Sequence, residues 1–236
     1  MARIVTNMKR LLPSGAFQLL RRLRFEVTAG YRRYSYSQEG EDLILWRLLE
    51  GTQKGFYVDI GAHHPTKFSN TYLFYRAGWS GLNCDPSPGS MKRFARVRPR
   101  DINLEIGISD RETSLVLYMF EEPTLNTFDV GLVPAYAAKF RLLGTRRVPT
   151  LPLRAVLSQS LPPGRTIDFL TIDVEGFELS VLQSNDWSRY RPAFVLVECQ
   201  GVTLATLSEN RTYHFMKANG YEVCAKTMQT FFFAAQ

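Results

Sequence analysis

Four short apolar runs in this chain each stop at a carboxylate, and this recurrence constrains the fold more than any other feature. Residues 55–60 (GFYVDI) carry Asp59 near their end, and residues 80–84 are followed at once by Asp85. Residues 167–172 (IDFLTI) run into Asp173, and residues 193–197 (AFVLV) into Glu198. The runs are continuous instead of alternating, as strands covered on both faces read. Helical patterns separate them: 42–50 stopped by Gly51, 68–77 stopped by Gly78, then 87–97, 178–183, and 207–219 stopped by Gly220. A third strand is predicted over 102–108, an extra strand or hairpin over 113–120, a helix beginning within 150–157, and final strands over 221–235. Strand, helix and strand at βαβ spacing predict a doubly wound α/β sheet. Residues 121–150 hold Pro123, Gly131, Pro134, Gly144 and Pro149, and read as a loop-plus-helix insertion too long for a plain connector.

The size suits this reading. At 236 residues, 45% hydrophobic and 22% charged, the chain can bury one large core and is not a disordered one. No apolar run approaches the roughly 18 residues of a membrane span. Cys84, Cys199 and Cys224 form neither a disulfide framework nor a metal-binding spacing, so a reducing, cytoplasmic compartment is the simplest expectation. The net charge of +7 is unevenly spread: residues 1–33 hold eight basic side chains and one acid, Glu26, while residues 34–236 hold equal numbers of each sign. A neutral domain lacks a continuous phosphate track, so nucleic acid is not an expected partner and an RNA-directed activity is disfavoured.

Residues 1–35 form a basic N-terminal extension, helical in part from Phe17, where Leu19, Leu20 and Leu23 alternate with Arg21, Arg22 and Arg24. Three roles stay open for it: an accessory helix, peripheral contact with an anionic membrane, or contact with an acidic substrate or partner protein.

The chemistry enters through position, because the carboxyl ends of strands in an open α/β sheet line the ligand crevice. In Asp59-Ile60-Gly61-Ala62-His63-His64-Pro65, Gly61 would let backbone approach a ligand closely. Neither G-x-G-x-x-G nor a Walker A sequence is present, which favours a nucleoside cofactor without a phosphate cradle. Asp85 could accept hydrogen bonds from both ribose hydroxyls, or form an Asx turn before Pro86.

Residues 55–88 and 167–178 together resemble the FkbM family of S-adenosylmethionine-dependent methyltransferases. The resemblance rests on Val58-Asp59-Ile60-Gly61-Ala62, Phe68-Ser69-Asn70-Thr71, Gly78-Trp79 and Asp173-Val174-Glu175-Gly176, and extends from about residue 36 to 233, within an expected methyltransferase domain of residues 36–236. It implies a seven-stranded, Rossmann-like class I methyltransferase sheet. It also implies S-adenosylmethionine as donor, with S-adenosylhomocysteine as product. Carried onto this sequence, Asp59, Gly61, Ala62, Asn70 and Asp173 border the donor, Asp85 holds its ribose, and Ile108, Ser109 and Asp110 lie at the adenine edge. Family members methylate hydroxyl oxygens on saccharides, polysaccharide precursors or polyketide-like products. One departure stands out: His63 occupies the second glycine of the common G-x-G pattern.

A hydroxyl is a weak nucleophile that benefits from a base or a metal. Asp173 is the preferred group to orient the acceptor or remove its proton, with Glu175 and His64 as further candidates. Glu175 could instead hold the turn through backbone N–H groups. Of His63 and His64, one faces the cleft while the other packs or caps the next helix. Glu198, Arg146 and Arg147 are expected to contact the acceptor, the two arginines from a lid-like insertion suited to a glycan, phosphate or carboxylate. No metal is required; were Mg²⁺ used, Asp173 and Glu198 would hold it. The expected function is therefore O-methylation of a saccharide hydroxyl. The alternatives are a polyketide-like small-molecule acceptor, or a non-catalytic module that keeps the fold and binds a partner.

Overall fold

The computed structural model describes residues 33–236. By its internal contacts the chain divides into residues 1–34 and Ser35–Gln236. The expected amphipathic leader helix lies outside the described residues. Among the described residues no helix is long and apolar enough to cross a membrane.

Seven strands form the central sheet in the order β3-β2-β1-β7-β8-β10-β9. They are β1 (Phe56–Ile60), β2 (Ser80–Cys84), β3 (Ile102–Leu104), β7 (Phe169–Ile172), β8 (Phe194–Glu198), β9 (Tyr221–Lys226) and β10 (Thr230–Ala235). Neighbours from β3 through β8 pair in parallel, and β10 runs antiparallel to both β8 and β9. This is the doubly wound, mostly parallel sheet that the sequence predicts. Helices α1 (Glu41–Leu48), α2 (Tyr72–Arg76), α3 (Ser90–Val97), α5 (Leu153–Ser160), α6 (Glu178–Gln183) and α7 (Arg211–Ala218) connect and cover it.

Strand alternation divides the core into two layers. Phe56, Val58 and Ile60 of β1 join Leu170, Ile172, Val195 and Val197 on one face. Tyr57 joins Phe169, Leu196 and Phe232 on the other, against Leu45 of α1, Phe74 of α2 and Trp79. Asp59 and Asn83 share the face of Tyr57, so this side carries a polar patch under its apolar one.

Two sequence expectations require correction. Residues 102–108 are not one strand: β3 ends at Leu104, and β4 (Gly107–Ile108) joins a second sheet ordered β4-β6-β5. Residues 121–150 are not only loop and helix. A short helix, α4 (Val133–Ala137), leads into β6 (Leu142–Leu151), which pairs antiparallel with β5 (Thr113–Phe120). Pro149 is compatible with this strand because β4 reaches only Thr150 and Leu151, leaving position 149 a partner on one side alone. Strand β6 also takes Thr150 and Leu151 from the predicted helix, which starts after Pro152.

Candidate active site

A cleft opens at the carboxyl ends of β1, β2, β7 and β8. Of the residues singled out from the sequence, Gly61, His63, Asn70, Asp85, Ile108, Asp173, Glu175 and Glu198 border it. Asp59, Ala62, His64, Ser109, Arg146 and Arg147 do not. Ala62 packs against Met91 and Phe94. Ser109 is buried and donates to the Arg111 carbonyl and meets the Thr150 hydroxyl, while Arg146 and Arg147 stand exposed on β6.

β1 lies between β2 and β7, so the chain leaving it must pass directly over the end of β7. Gly61 has φ +85°, and a Cβ there would sit 1.7 Å from the Asp173 carbonyl oxygen. Only glycine fits. The loop is pinned by Gly61 N–H donating to the Cys84 carbonyl (2.9 Å) and Asp173 N–H donating to the Ile60 carbonyl (3.0 Å). Beside it, Asp85 accepts from the His63 N–H through Oδ2 (3.0 Å) and from the Ser87 N–H through Oδ1 (2.8 Å). The Asx turn therefore exists, yet each oxygen spends only one acceptor direction on it and keeps another for a ligand. Ile106, Ile108 and Phe128 supply an apolar wall of the same cleft.

The two histidines part company. His63, at φ +48°, borders the cleft. His64 accepts at Nδ1 from the Thr66 and Lys67 N–H groups (3.2 and 3.1 Å), capping the turn away from it. Burial lowers the pKa of both, so both rings are neutral at pH 7.

Asp59 lies beneath the loop. Its Oδ2 accepts from Thr71 Oγ1 (2.7 Å), and burial raises its pKa to about 6. Arg98, fully buried, donates to the Pro65 carbonyl (2.7 Å), Thr71 Oγ1 (2.8 Å) and Ser69 Oγ (2.6 Å). Asp101 completes the layer by accepting from Tyr57 Oη (2.6 Å), Asn83 Nδ2 (3.0 Å) and the Gly81 N–H (2.9 Å). Gly81 makes room for this arrangement, since a Cβ there would lie 2.1 Å from the Tyr57 ring. The layer fixes the loop from below; it does not touch the cleft.

On the far side, oxygens of Asp173, Glu175 and Glu198 lie within 4.8 Å of one another. Asp173 is exposed to solvent at the cleft. Partial desolvation by the surrounding protein, with Glu198 and Glu175 nearby, raises its pKa above the usual carboxylate range. Enclosure and the charge of Glu175 raise Glu198 to about 7. Asp173 and Glu198 sit close enough to perturb each other, so the two carboxyls titrate as a pair with both pKa values raised. Glu175, at φ +51°, is raised by burial too; its Oε2 accepts from Tyr136 Oη (2.5 Å) and Gln200 Nε2 (3.2 Å). The turn itself is held by Glu178, not Glu175: Glu178 Oε1 accepts the Val174 and Gly176 N–H groups (3.2 and 3.0 Å).

Sequence reasoning missed several neighbours of the cleft. Gln38 arrives from the segment before α1, Glu41 from the first turn of α1, and Gln200 follows β8. Asp42 anchors that segment by accepting from the Tyr36 N–H and the Ser35 hydroxyl, both at 2.7 Å. Clustered acids in 37–42 (SQEGED) were the available signal. Arg98 left none, because an arginine just past the end of a basic amphipathic helix reads as a surface residue.

A profile of the methyltransferase FkbM domain matches residues 59–223, which span the glycine loop, Asp85 and all three cleft carboxylates. The chain belongs to the FkbM methyltransferase family. It is accordingly an S-adenosylmethionine-dependent methyltransferase. A search of curated proteins finds no match. Among solved structures, similar ones include a methyltransferase from Geobacter sulfurreducens (13% identity, TM-score 0.43, 100% of this chain and 97% of that one). Another is the C-terminal domain of precorrin-6Y C5,15-methyltransferase from Rhodobacter capsulatus (11%, 0.42, 87% and 92%). A third is a TehB-like SAM-dependent methyltransferase from Corynebacterium glutamicum (9%, 0.40, 94% and 98%).

Proposed function

We propose that this FkbM methyltransferase alkylates a hydroxyl oxygen of a saccharide or glycan precursor. When bound, S-adenosylmethionine supplies an electrophilic methyl group on a cationic sulfur. The cleft suits such a donor: the Gly61 turn borders it without a side chain, Asp85 keeps acceptor capacity for two ribose hydroxyls, and an apolar wall is available for adenine.

The observation that carries the proposal is the Asp173–Glu198 pair beside Glu175 and Gln200. A cation brought against clustered carboxylates lowers their pKa values, so the pair can give up its proton and Asp173 can accept one from a hydroxyl. Glu175, held by Tyr136 and Gln200, orients the acceptor. Gln38, Gln200 and Gln229 add amide groups to the same cleft, the kind of lining that vicinal hydroxyls hydrogen-bond. His63 borders the cleft within reach of an acceptor; His64 already serves the turn. The three carboxylates also fit a hard cation such as Mg²⁺, which they would hold through Asp173, Glu198 and Glu175. Chelator sensitivity separates that arrangement from the metal-free one.

Transfer of labelled methyl to a saccharide panel tests the acceptor class. Label stable to alkali marks a methyl ether and supports the proposal; alkali-labile label marks an ester and ends it. Calorimetric titration with S-adenosylhomocysteine tests the donor side, where Asp85→Ala should weaken binding on the order of 100-fold through lost charge-assisted hydrogen bonds. Binding equal to that of the parent chain would remove Asp85 from the ribose site.

A further inference from the structure

We infer that the turn between α4 and β6, with the first half of β6, is a docking surface for an anionic lipid bilayer. Residues 137–143 are all exposed, although they include Phe140, Leu142 and Leu143. These three side chains retain 36%, 38% and 56% of their accessible surface. Folding has left them in water together, within four consecutive positions. None of them borders the cleft, so an acceptor bound there would not cover them.

The local backbone keeps Leu143 outward. Pairing of β5 with β6 shifts between Phe120↔Leu142 and Met119↔Gly144, which leaves Leu143 as the extra residue of a bulge with no partner opposite. A bulge re-aims the side chain it carries, and here it removes a leucine from the ladder. Gly144 follows at φ +148° with nothing within 4 Å of a would-be Cβ.

Charge decides the occupant. Lys139, Arg146 and Arg147 are exposed and make no ion pair among the described residues, while Arg141 pairs with Glu121 at 3.5 Å. Glu122, next to Glu121 in the chain, is exposed as well. Cations flanking exposed leucine and phenylalanine fit a surface that is apolar within and negative at its face. A second copy of the chain, packed about a two-fold axis, would set the same cations against themselves. Nucleic acid would answer the cations and leave the apolar side chains in water. The basic excess of residues 1–33 has the same sign preference, so the surface must be tested with that segment intact.

Docking here would also seat the catalytic cleft. Phe140 N–H donates to the Tyr136 carbonyl (2.9 Å), and Tyr136 Oη holds Glu175. The surface is independent of the acceptor's identity and stands or falls on lipid binding alone.

The experiment uses the full chain and sedimentation with vesicles of phosphatidylcholine containing about one-third phosphatidylglycerol, against phosphatidylcholine alone. The parent chain should partition onto the anionic vesicles, and less so as salt rises. The variant F140S/L142S/L143S should partition at least roughly tenfold less, because three apolar side chains no longer enter the bilayer, while binding S-adenosylhomocysteine as the parent does. Phe140→Trp should shift its emission to the blue when anionic vesicles are added. A triple variant that binds vesicles like the parent would overturn the inference, as would a parent that binds none. A parent dimer dissolved by the same three substitutions, seen by light scattering, would assign the surface to self-association instead.

Discussion

Beneath the β1–α2 loop, Asp59 and Asp101 are buried beside Arg98, and every charged group there has hydrogen-bonding partners. At the ends of β7 and β8, Asp173, Glu175 and Glu198 crowd together with no ion pair among the described residues, and only Tyr136 and Gln200 donate to them from outside. The first region is electrostatically complete and the second is not. A completed layer fixes backbone, which a donor-binding loop requires. An uncompensated cluster stores repulsion that a cationic ligand relieves, so binding energy appears where charge is brought in. The comparison predicts that substitutions in the first region act on stability, and those in the second on turnover and pH dependence.

Arg98→Met should have the largest effect. Leaving Asp101 and the Ser69–Thr71 hydroxyls without their cation should lower unfolding free energy by roughly 3–5 kcal/mol, measured by urea denaturation. A loss too small to measure would mean that the layer does not hold the loop. Asp173→Asn should next reduce kcat by about 10²–10³-fold while S-adenosylhomocysteine affinity changes little, if Asp173 takes the acceptor proton. Equal losses in kcat and product affinity would make it a donor-binding residue instead.

Glu198→Gln should show the opposite sign on stability. The pKa of Glu198 is raised from an ordinary 4.5 to about 7, so its electrostatic cost is absent below the ordinary value and grows as pH rises through the raised one. With chelator present, the variant should be more stable than the parent at pH 8 by on the order of 1–2 kcal/mol, the gap closing towards pH 4.5. A gap independent of pH would show that packing, not repulsion, is at work. Tyr136→Phe removes one hydrogen bond from Glu175 and should cost about 0.5–1.5 kcal/mol in acceptor KM, with donor binding untouched. A change in donor affinity would instead place the insertion over the donor half.

The strands that build the cleft were legible because each is a short apolar run ended by an acid, a pattern that a sheet buried on both faces imposes locally. Gly61 was legible as a glycine just after an acid-ended strand, although the contact that excludes any Cβ there, with the Asp173 carbonyl, is made across the sheet. The division at residue 105 and the strand at Leu142–Leu151 were not. Gly144 and Pro149 read as breakers, and a two-stranded ribbon tolerates both once a bulge and a one-sided edge accommodate them.

By itself, then, the sequence determined the sheet, the glycine turn and the identity of the acids at the strand ends, because these depend on patterns of neighbouring residues. Tertiary structure alone decided that Arg98 lies under the loop and that Glu178, not Glu175, ties the turn. It alone set His64 facing away and Arg146 and Arg147 outside the cleft. Arg98 meets partners such as Pro65 and Ser69, far from it in the chain, whereas Glu178 and His64 choose among nearby N–H groups that only the folded turn brings into line. Neither choice is recorded in the pattern of residue types.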